Sequence, residues 1–263
     1  MIFRAARGVV AMLLVATAAC AQSVEPGPSM LPRGGRLLFV GNSLTAGNRL
    51  ADMVAALASA SPFAWQVGSV AIGGASLADH IGEGTASRRL RDERWDVVVL
   101  QQGPSTLPAS RADLRASTVQ FQSIAAAAGT RVALYMVWPD STWSAPRFAS
   151  DFDRIRDAYA LAAHDVGGTF IPAGEAWRVM LAAHPEVPLY GPDQFHPTPE
   201  GTYLAALTIV ARLSGRDPVG LPDTLTRNGA TLIALPPARA RALQEAARAA
   251  VATYGNYVPP DAP

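Results

Sequence analysis

The apolar run Arg36-Leu37-Leu38-Phe39-Val40 ends in Gly41-Asn42-Ser43-Leu44, and far downstream the chain carries Asp193-Gln194-Phe195-His196-Pro197. A serine hydroxyl is a poor nucleophile at neutral pH. It needs an imidazole to take its proton, and the imidazole needs a carboxylate to hold its tautomer. Ser43, His196 and Asp193 supply those three groups. Ser43 is expected where a strand ends and the backbone must turn. Gly41 gives conformational room just before it, which would expose the hydroxyl at the carboxyl edge of a sheet. Either fragment alone is short enough to be an ordinary turn or a helix N-cap. What points to catalysis is the pairing, with the nucleophile early, Asp and His late, and each beside an expected strand end or helix start. Asp140 is the best rival to Asp193 as the orienting acid, and its register relative to His196 is open.

Placing these side chains requires a scaffold, and the chain alternates short β-branched apolar runs with longer Ala-rich segments, the signature of parallel strands and crossover helices. Five strands are expected, at Arg36 to Val40, Gln66 to Ile72, Asp96 to Leu100, Arg131 to Val137 and Gly168 to Pro172. Their near-continuous hydrophobicity suits strands buried on both faces. Helices are expected over Thr45 to Ser59, Ala109 to Ala127, Pro146 to Val166 and Pro199 to Leu213. A last helix, Pro236 to Tyr254, carries Leu243, Ala247, Val251 and Tyr254 on one face and packs across the sheet without chemistry of its own. Open parallel sheets bind ligands at the carboxyl ends of their strands. Ser43, Gly74 and the pair Gln101-Gln102 all follow expected strand ends on that edge.

The combination resembles the SGNH (GDSL-type) hydrolase superfamily over most of the chain beyond its N-terminus. Gly41-Asn42-Ser43-Leu44 is similar to the block that carries the family's nucleophile, with Asn42 standing where Asp is commoner. Ala71-Ile72-Gly73-Gly74-Ala75-Ser76-Leu77 resembles the second block, and the likeness makes Gly74 the glycine whose backbone N–H faces the developing oxyanion. Asp193 and His196 match the family's Asp-x-x-His, and the following Pro197 to Leu204 is similar to the helix start seen in many members. The third block departs from the pattern: the usual Gly-x-Asn-Asp is absent, and Val97-Val98-Val99-Leu100 runs into Gln101-Gln102-Gly103-Pro104-Ser105. A tetrahedral intermediate still calls for an amide donor, and Gln offers the same N–H₂ as Asn on a longer stem. Either Gln101 or Gln102 is expected to substitute, unless both serve only to satisfy loop backbone groups. The resemblance implies a flavodoxin-like three-layer α/β/α sandwich around an about five-stranded parallel sheet. It also implies a carboxylic ester hydrolase with no cofactor and no metal, in which the Ser43 and Gly74 N–H groups and one of the glutamines stabilise the oxyanion.

Composition narrows the alternatives. At 263 residues, 49% hydrophobic and only 16% charged, the chain is long and apolar enough for one compact α/β domain. Its formal net charge is +1 and it has no dense basic tract, which disfavours nucleic-acid binding. Every basic side chain is Arg, so Schiff-base and Ser-Lys chemistry are excluded and His is left as the base. Cys20 is the single cysteine, so neither an internal disulfide nor a zinc thiolate cluster can form.

Arg4 and Arg7 precede an apolar stretch from Val9 to about Ala19 that runs into small residues, as in an export signal, and the stretch is too short to span a membrane stably. Ala19-Cys20-Ala21 suits ordinary signal peptidase. Thr17-Ala18-Ala19-Cys20 resembles a lipobox, which would make Cys20 a lipidation site and the sole membrane contact. The expected organisation is a signal peptide at 1–21, a Pro- and Gly-rich linker at 22–35, the hydrolase domain at 36–257 and a tail at 258–263. The product would be periplasmic or secreted. Of the remaining histidines, His80 is expected to cap a helix or lie at the surface, with a place lining the pocket as the alternative, His164 to be solvated within a helix, and His184 to mark a helix end. Trp138, Trp143 and Trp177 are expected in core or loop packing. The expected ligand is a small-molecule or glycan ester. Two further readings stay open: an O-acyltransferase, and a non-catalytic glycan-binding protein on the same fold.

Overall fold

The structure, a computed structural model, describes residues 31 and 33–262. The expected signal segment, Cys20 and most of the 22–35 linker lie outside the described residues. Strands β1 (Arg36–Gly41), β2 (Gln66–Ala71), β3 (Val97–Leu100), β4 (Arg131–Tyr135) and β5 (Thr169–Ile171) form one parallel sheet in the order β2-β1-β3-β4-β5. Register is set by Leu37 pairing with Val67 on one side and Val97 on the other, and the pairing runs on to Gly41–Ala71 and Val40–Leu100. The chain adds β2 to one side of β1 and then returns to add β3 to the other. The order therefore reverses at β1, and in sheets of this type a crevice opens at such a point beyond the carboxyl ends of the strands.

Helices cover both faces: α1 (Ser43–Ala46), α2 (Leu50–Ser59), α3 (Leu77–Glu83), α4 (Thr85–Asp92), α5 (Pro108–Ala127), α6 (Ala145–Asp165), α7 (Ala173–Ala183), α8 (Pro199–Ser214) and α9 (Pro237–Tyr254). On one face α2 packs on α8, and α7 and α8 pack on α9. On the other, α5 packs against α3, α4 and α6. The result is a three-layer α/β/α sandwich. Helices α5, α6, α8 and α9 each open with Pro in the first turn, where its missing N–H costs nothing, and α8 stops at Gly215 in the left-handed conformation (φ 70°). Strands β1, β3, β4 and β5 are buried almost throughout, as their unbroken apolar runs predict. Strand β2 differs. It is one of the two edges and, unlike the buried edge strand β5, is half-exposed, which suits its Gln66, Gly68 and Ser69. None of the helices in the described residues is long and apolar enough to cross a membrane.

Three differences from the sequence expectation have local causes. The helix expected over Thr45 to Ser59 is broken: a 3-10 turn at Gly47–Arg49 separates α1 from α2, with Asn48 and Arg49 at positive φ (48° and 59°). Asn48 spends its amide on Pro197 O (2.8 Å) and Thr202 Oγ1 (2.9 Å), contacts from across the fold that outweigh local helix propensity. Second, α3, α4 and α7 are helices beyond those expected, and α3 and α4 span only 7 and 8 residues, too few to show a period over several turns. Helix α3 nevertheless carries a readable start, a capping box in which Ser76 Oγ accepts from Asp79 N and Asp79 accepts from Ser76 N. Third, an antiparallel hairpin, β6 (Thr224–Arg227) and β7 (Ala230–Ala234), turns at Asn228-Gly229 with both residues at positive φ (52° and 77°). Asn-Gly is the strongest short hairpin signal, and the segment's weak alternation hid it.

The junction of α7 and α8 is tightly packed around Gly201. A Cβ there would lie 2.5 Å from Leu189 O and 2.5 Å from the Trp177 ring. A helical Gly→Ala change usually gains about 0.5–1 kcal/mol from propensity. Overpacking reverses that here: Gly201→Ala is expected to destabilise by about 1–3 kcal/mol, read from urea or thermal unfolding.

Candidate active site

Ser43 enters the crevice from the end of β1. Asn42 is the N-cap of α1, its Oδ1 accepting from Leu44 N at 3.0 Å, and Ser43 is the first helical residue. The helix-cap and nucleophile readings of this stretch are therefore the same structure. Gly41 is required for a different reason from the one its type suggests. Its φ is not in the left-handed region, but a Cβ would collide with Thr45 Oγ1 and lie 2.5 Å from Gln101 Oε1. Close approach of side chains, not conformational freedom, demands glycine.

The Asp193 and His196 side chains arrive on the loop between α7 and α8. Gly191 N donates to His196 O (2.7 Å) and Gln194 N to Gly191 O (3.0 Å), which curls the loop. Asp193 Oδ1 accepts from the backbone N–H groups of Phe195 (3.2 Å) and His196 (3.0 Å), leaving Oδ2 for the imidazole. Outside partners hold the loop in place. Trp138 Nε1 donates to Phe195 O (3.0 Å), Ser141 Oγ to Gln194 O (2.8 Å) and Asn48 Nδ2 to Pro197 O. Trp138 and Trp177 are fully buried and stacked, with ring centroids 3.5 Å apart, and Trp177 Nε1 donates to Gly201 O just beyond the loop. The expectation of core packing for these two is met, with the addition that their N–H groups grip the backbone on either side of His196. Asn48 went unnoticed in the sequence because its partners lie far along the chain; the Gly47-Asn48 pair, a weak helix former, was the available sign.

These elements bring the three groups into one line. His196 Nε2 lies 2.9 Å from Ser43 Oγ, and His196 Nδ1 lies 2.5 Å from Asp193 Oδ2. Hydrogen bonding from the His196 imidazole first, and then from the His196 and Phe195 backbone N–H groups, holds the Asp193 carboxyl down to about 2. Asp140 does not share the line: its Oδ1 accepts from Thr142 N (2.8 Å) and Oγ1 (2.7 Å) in its own loop. His196 and Asp193 side chains are 44% and 52% exposed, so this end of the site is open to solvent.

A cleft of about 620 Å³ adjoins Ser43 and is bordered by Gly74, Gln102, Leu107, Asp140, Trp143 and Phe195. Gly74 sits at positive φ (73°), a conformation that suits glycine, and its N–H has no acceptor among the described residues. The glutamines do not take the place expected of an oxyanion donor. Gln101 Nε2 donates to Asn42 Oδ1 (3.0 Å) and Gln102 O (2.6 Å). Gln102 Nε2 donates to Ser105 Oγ (3.0 Å) and Ser110 O (3.3 Å). Both amides have two N–H groups and both are spent, which is the loop-satisfying arrangement. Tyr159 completes it by donating to Gln102 O and accepting from Gln102 N.

The remaining expectations divide. Trp143 is exposed at the cleft and not packed in the core, with the Arg147 guanidinium 3.3 Å above its ring. His80 is fully buried, whereas a cap or surface position was expected, and its Nε2 lies 2.7 Å from Gly41 O. His164 is exposed, and His184 ends α7 with Nδ1 3.2 Å from Glu186 Oε1. Among the described residues no three His, Cys, Asp or Glu side chains converge as a metal site.

No protein-family model and no curated protein matches the chain. Solved structures do. A protein of Slackia heliotrinireducens assigned to the SGNH hydrolases is 31% identical, with a TM-score of 0.59, covering 68% of this chain and 98% of its own. A DUF4886 family protein from Bacteroides uniformis is 22% identical, TM-score 0.69, over 85% of this chain and 96% of its own. A variant of Axe2, an acetyl xylan esterase from Geobacillus stearothermophilus, is 15% identical, TM-score 0.51, over 69% and 93%, a likeness of fold.

In Asp193→Asn the side-chain oxygen can still cap the loop, but an amide facing His196 Nδ1 reverses the imidazole tautomer. The expected outcome is a fall in kcat of about 10³- to 10⁴-fold on an activated ester, with the fold retained by circular dichroism. The folded-state value of about 2 lies below the ordinary 3.8, so the carboxylate is charged above both, and its stabilising contribution is lost only as pH falls through that window. A pH–rate profile should therefore show no ionisation from Asp193 until pH approaches about 2.

Proposed function

The chain belongs to the SGNH hydrolase superfamily, and from that premise we propose that it is an exported serine hydrolase that cleaves a carboxylic ester through an acyl-enzyme. The observation that carries this reading is the line Ser43 Oγ, His196 Nε2, His196 Nδ1, Asp193 Oδ2, with steps of 2.9 and 2.5 Å. Ser43 Oγ attacks the acyl carbon while His196 Nε2 takes its proton, and Asp193 holds the imidazole with Nδ1 protonated. The carbonyl oxygen becomes an oxyanion, for which the Ser43 and Gly74 backbone N–H groups are the proposed donors. Collapse expels the alcohol, which receives the proton from His196. Water, deprotonated by His196, then releases the acid and restores Ser43.

An O-acetyl group on carbohydrate is the proposed substrate class. The half-exposed His and Asp allow an ester carried on a larger molecule, and Trp143, partly exposed at the cleft beside Asp113 and Asp140, suits a hydroxylated ring. Export rests on the Arg-flanked apolar N-terminus, with Cys20 as the proposed lipid anchor if the lipobox is used.

The test is hydrolysis of 4-nitrophenyl acetate and butyrate by the domain beside Ser43→Ala and His196→Ala. Wild type is expected to turn over, with acetate preferred, and both variants are expected to lose at least about 10³-fold. Wild type no faster than the variants on either ester would overturn the reading.

A further inference from the structure

The peptide unit between Gly41 and Asn42, one before the unit that carries the Ser43 N–H, is gripped at both poles by buried side chains from separate parts of the chain. Its carbonyl, on Gly41, lies 2.7 Å from His80 Nε2 and also accepts from Ile72 N at 3.0 Å. Its N–H, on Asn42, donates to Gln101 Oε1 at 3.0 Å. His80 comes from α3 and Gln101 from the end of β3, and both are fully buried. A carbonyl oxygen can only accept, so His80 carries a proton on Nε2. Its Nδ1 is buried without a partner. An apolar side chain would fill this position without an orphaned atom, so the bond to Gly41 O is what His80 contributes.

Gln101 reaches further along the same segment. Besides the Asn42 N–H, its Oε1 accepts from Thr45 Oγ1 at 2.6 Å, and its Nε2 donates to Asn42 Oδ1, the atom that caps Leu44 N. Every bond therefore ends on the residues flanking Ser43 or on the Gln102 carbonyl next door. The missing side chain of Gly41 is what lets Gln101 and Thr45 approach so closely.

We propose that His80 and Gln101 are positioning residues that clamp the Gly41–Asn42 peptide plane and so aim the Ser43 Oγ and N–H. The carbonyl pole is held by Ile72 N and His80 together and the N–H pole by Gln101, so the plane tilts only if buried hydrogen bonds lengthen or break. Neither side chain touches the reacting atoms. Their effect falls on the 2.9 Å Ser43–His196 geometry, where a displacement near 1 Å is worth about 10²-fold in rate. The inference about catalysis rests on the serine-hydrolase reading; the clamp itself is a statement about one peptide.

Two amides of the same chemistry but different reach test it. His80→Gln extends far enough to donate to Gly41 O, and His80→Asn does not. On 4-nitrophenyl acetate His80→Asn is expected to lose about 10- to 100-fold in kcat with KM within about twofold, and His80→Gln to recover most of that. Amide hydrogen exchange of the Asn42 N–H, followed by NMR, is expected to be slow in wild type and His80→Gln and at least about tenfold faster in His80→Asn. Gln101→Met, which keeps the volume but removes the amide, is the second variant should His80→Asn not fold, with the same loss and faster exchange expected. Equal losses in the Gln and Asn variants, or an unchanged Asn42 exchange rate in the folded loss variant, would overturn the clamp. If wild type does not hydrolyse the ester at all, the hydrolase reading fails while the exchange rates still decide the clamp.

Discussion

Strand β1 is hydrogen-bonded along both edges, to β2 and to β3, and the order of the sheet reverses at that strand. Much else in the molecule depends on this constraint. A strand paired on both sides cannot shift without breaking a ladder, and its burial on both faces adds apolar packing to that cost. The residue that leaves its carboxyl end is thus placed by the whole sheet. Because β2 and β3 flank it in register, the segments after them, with Gly74 and Gln101-Gln102, arrive at the same edge. Three stretches far apart in sequence meet there without a long-range contact of their own having to choose the site.

The Asp193–His196 half is positioned by another kind of force. Its loop belongs to no sheet and is substantially exposed, so apolar burial contributes little. Backbone and side-chain hydrogen bonds do the holding: Asp193 caps its own loop, while Trp138, Ser141 and Asn48 tie it to the segments after β4 and β1. Asn48 matters twice, since the turn that frees its amide also breaks the helix behind Ser43. One residue in an unfavourable backbone conformation links the two halves of the site.

The glutamines show how a group's chemistry and its employment can part. A primary amide following a strand at this edge has the right donors for an oxyanion, and nothing in a linear reading shows which acceptors will surround it. In the fold, both N–H groups of each side chain meet closer acceptors, and the buried position makes leaving those acceptors unpaired costly. His80 followed the same course: a histidine on a short helix looks peripheral until the helix packs it against the carbonyl of Gly41.

Local pattern alone marked the five parallel strands, the long helices, and Ser43 and His196 with Asp193 as a candidate acid, because each is written in contiguous residues through apolar period or a short motif. The break at Asn48, the capping-box helix α3 and the Asn228-Gly229 hairpin left weaker marks that stronger neighbouring patterns obscured. Only the tertiary structure decided the strand order, the choice of Asp193 over Asp140, the employment of Gln101, Gln102 and His80, and the exposure of Trp143. Those are questions of which donor finds which acceptor across the fold, and a side chain's type states what it can bond while only its surroundings state what it does.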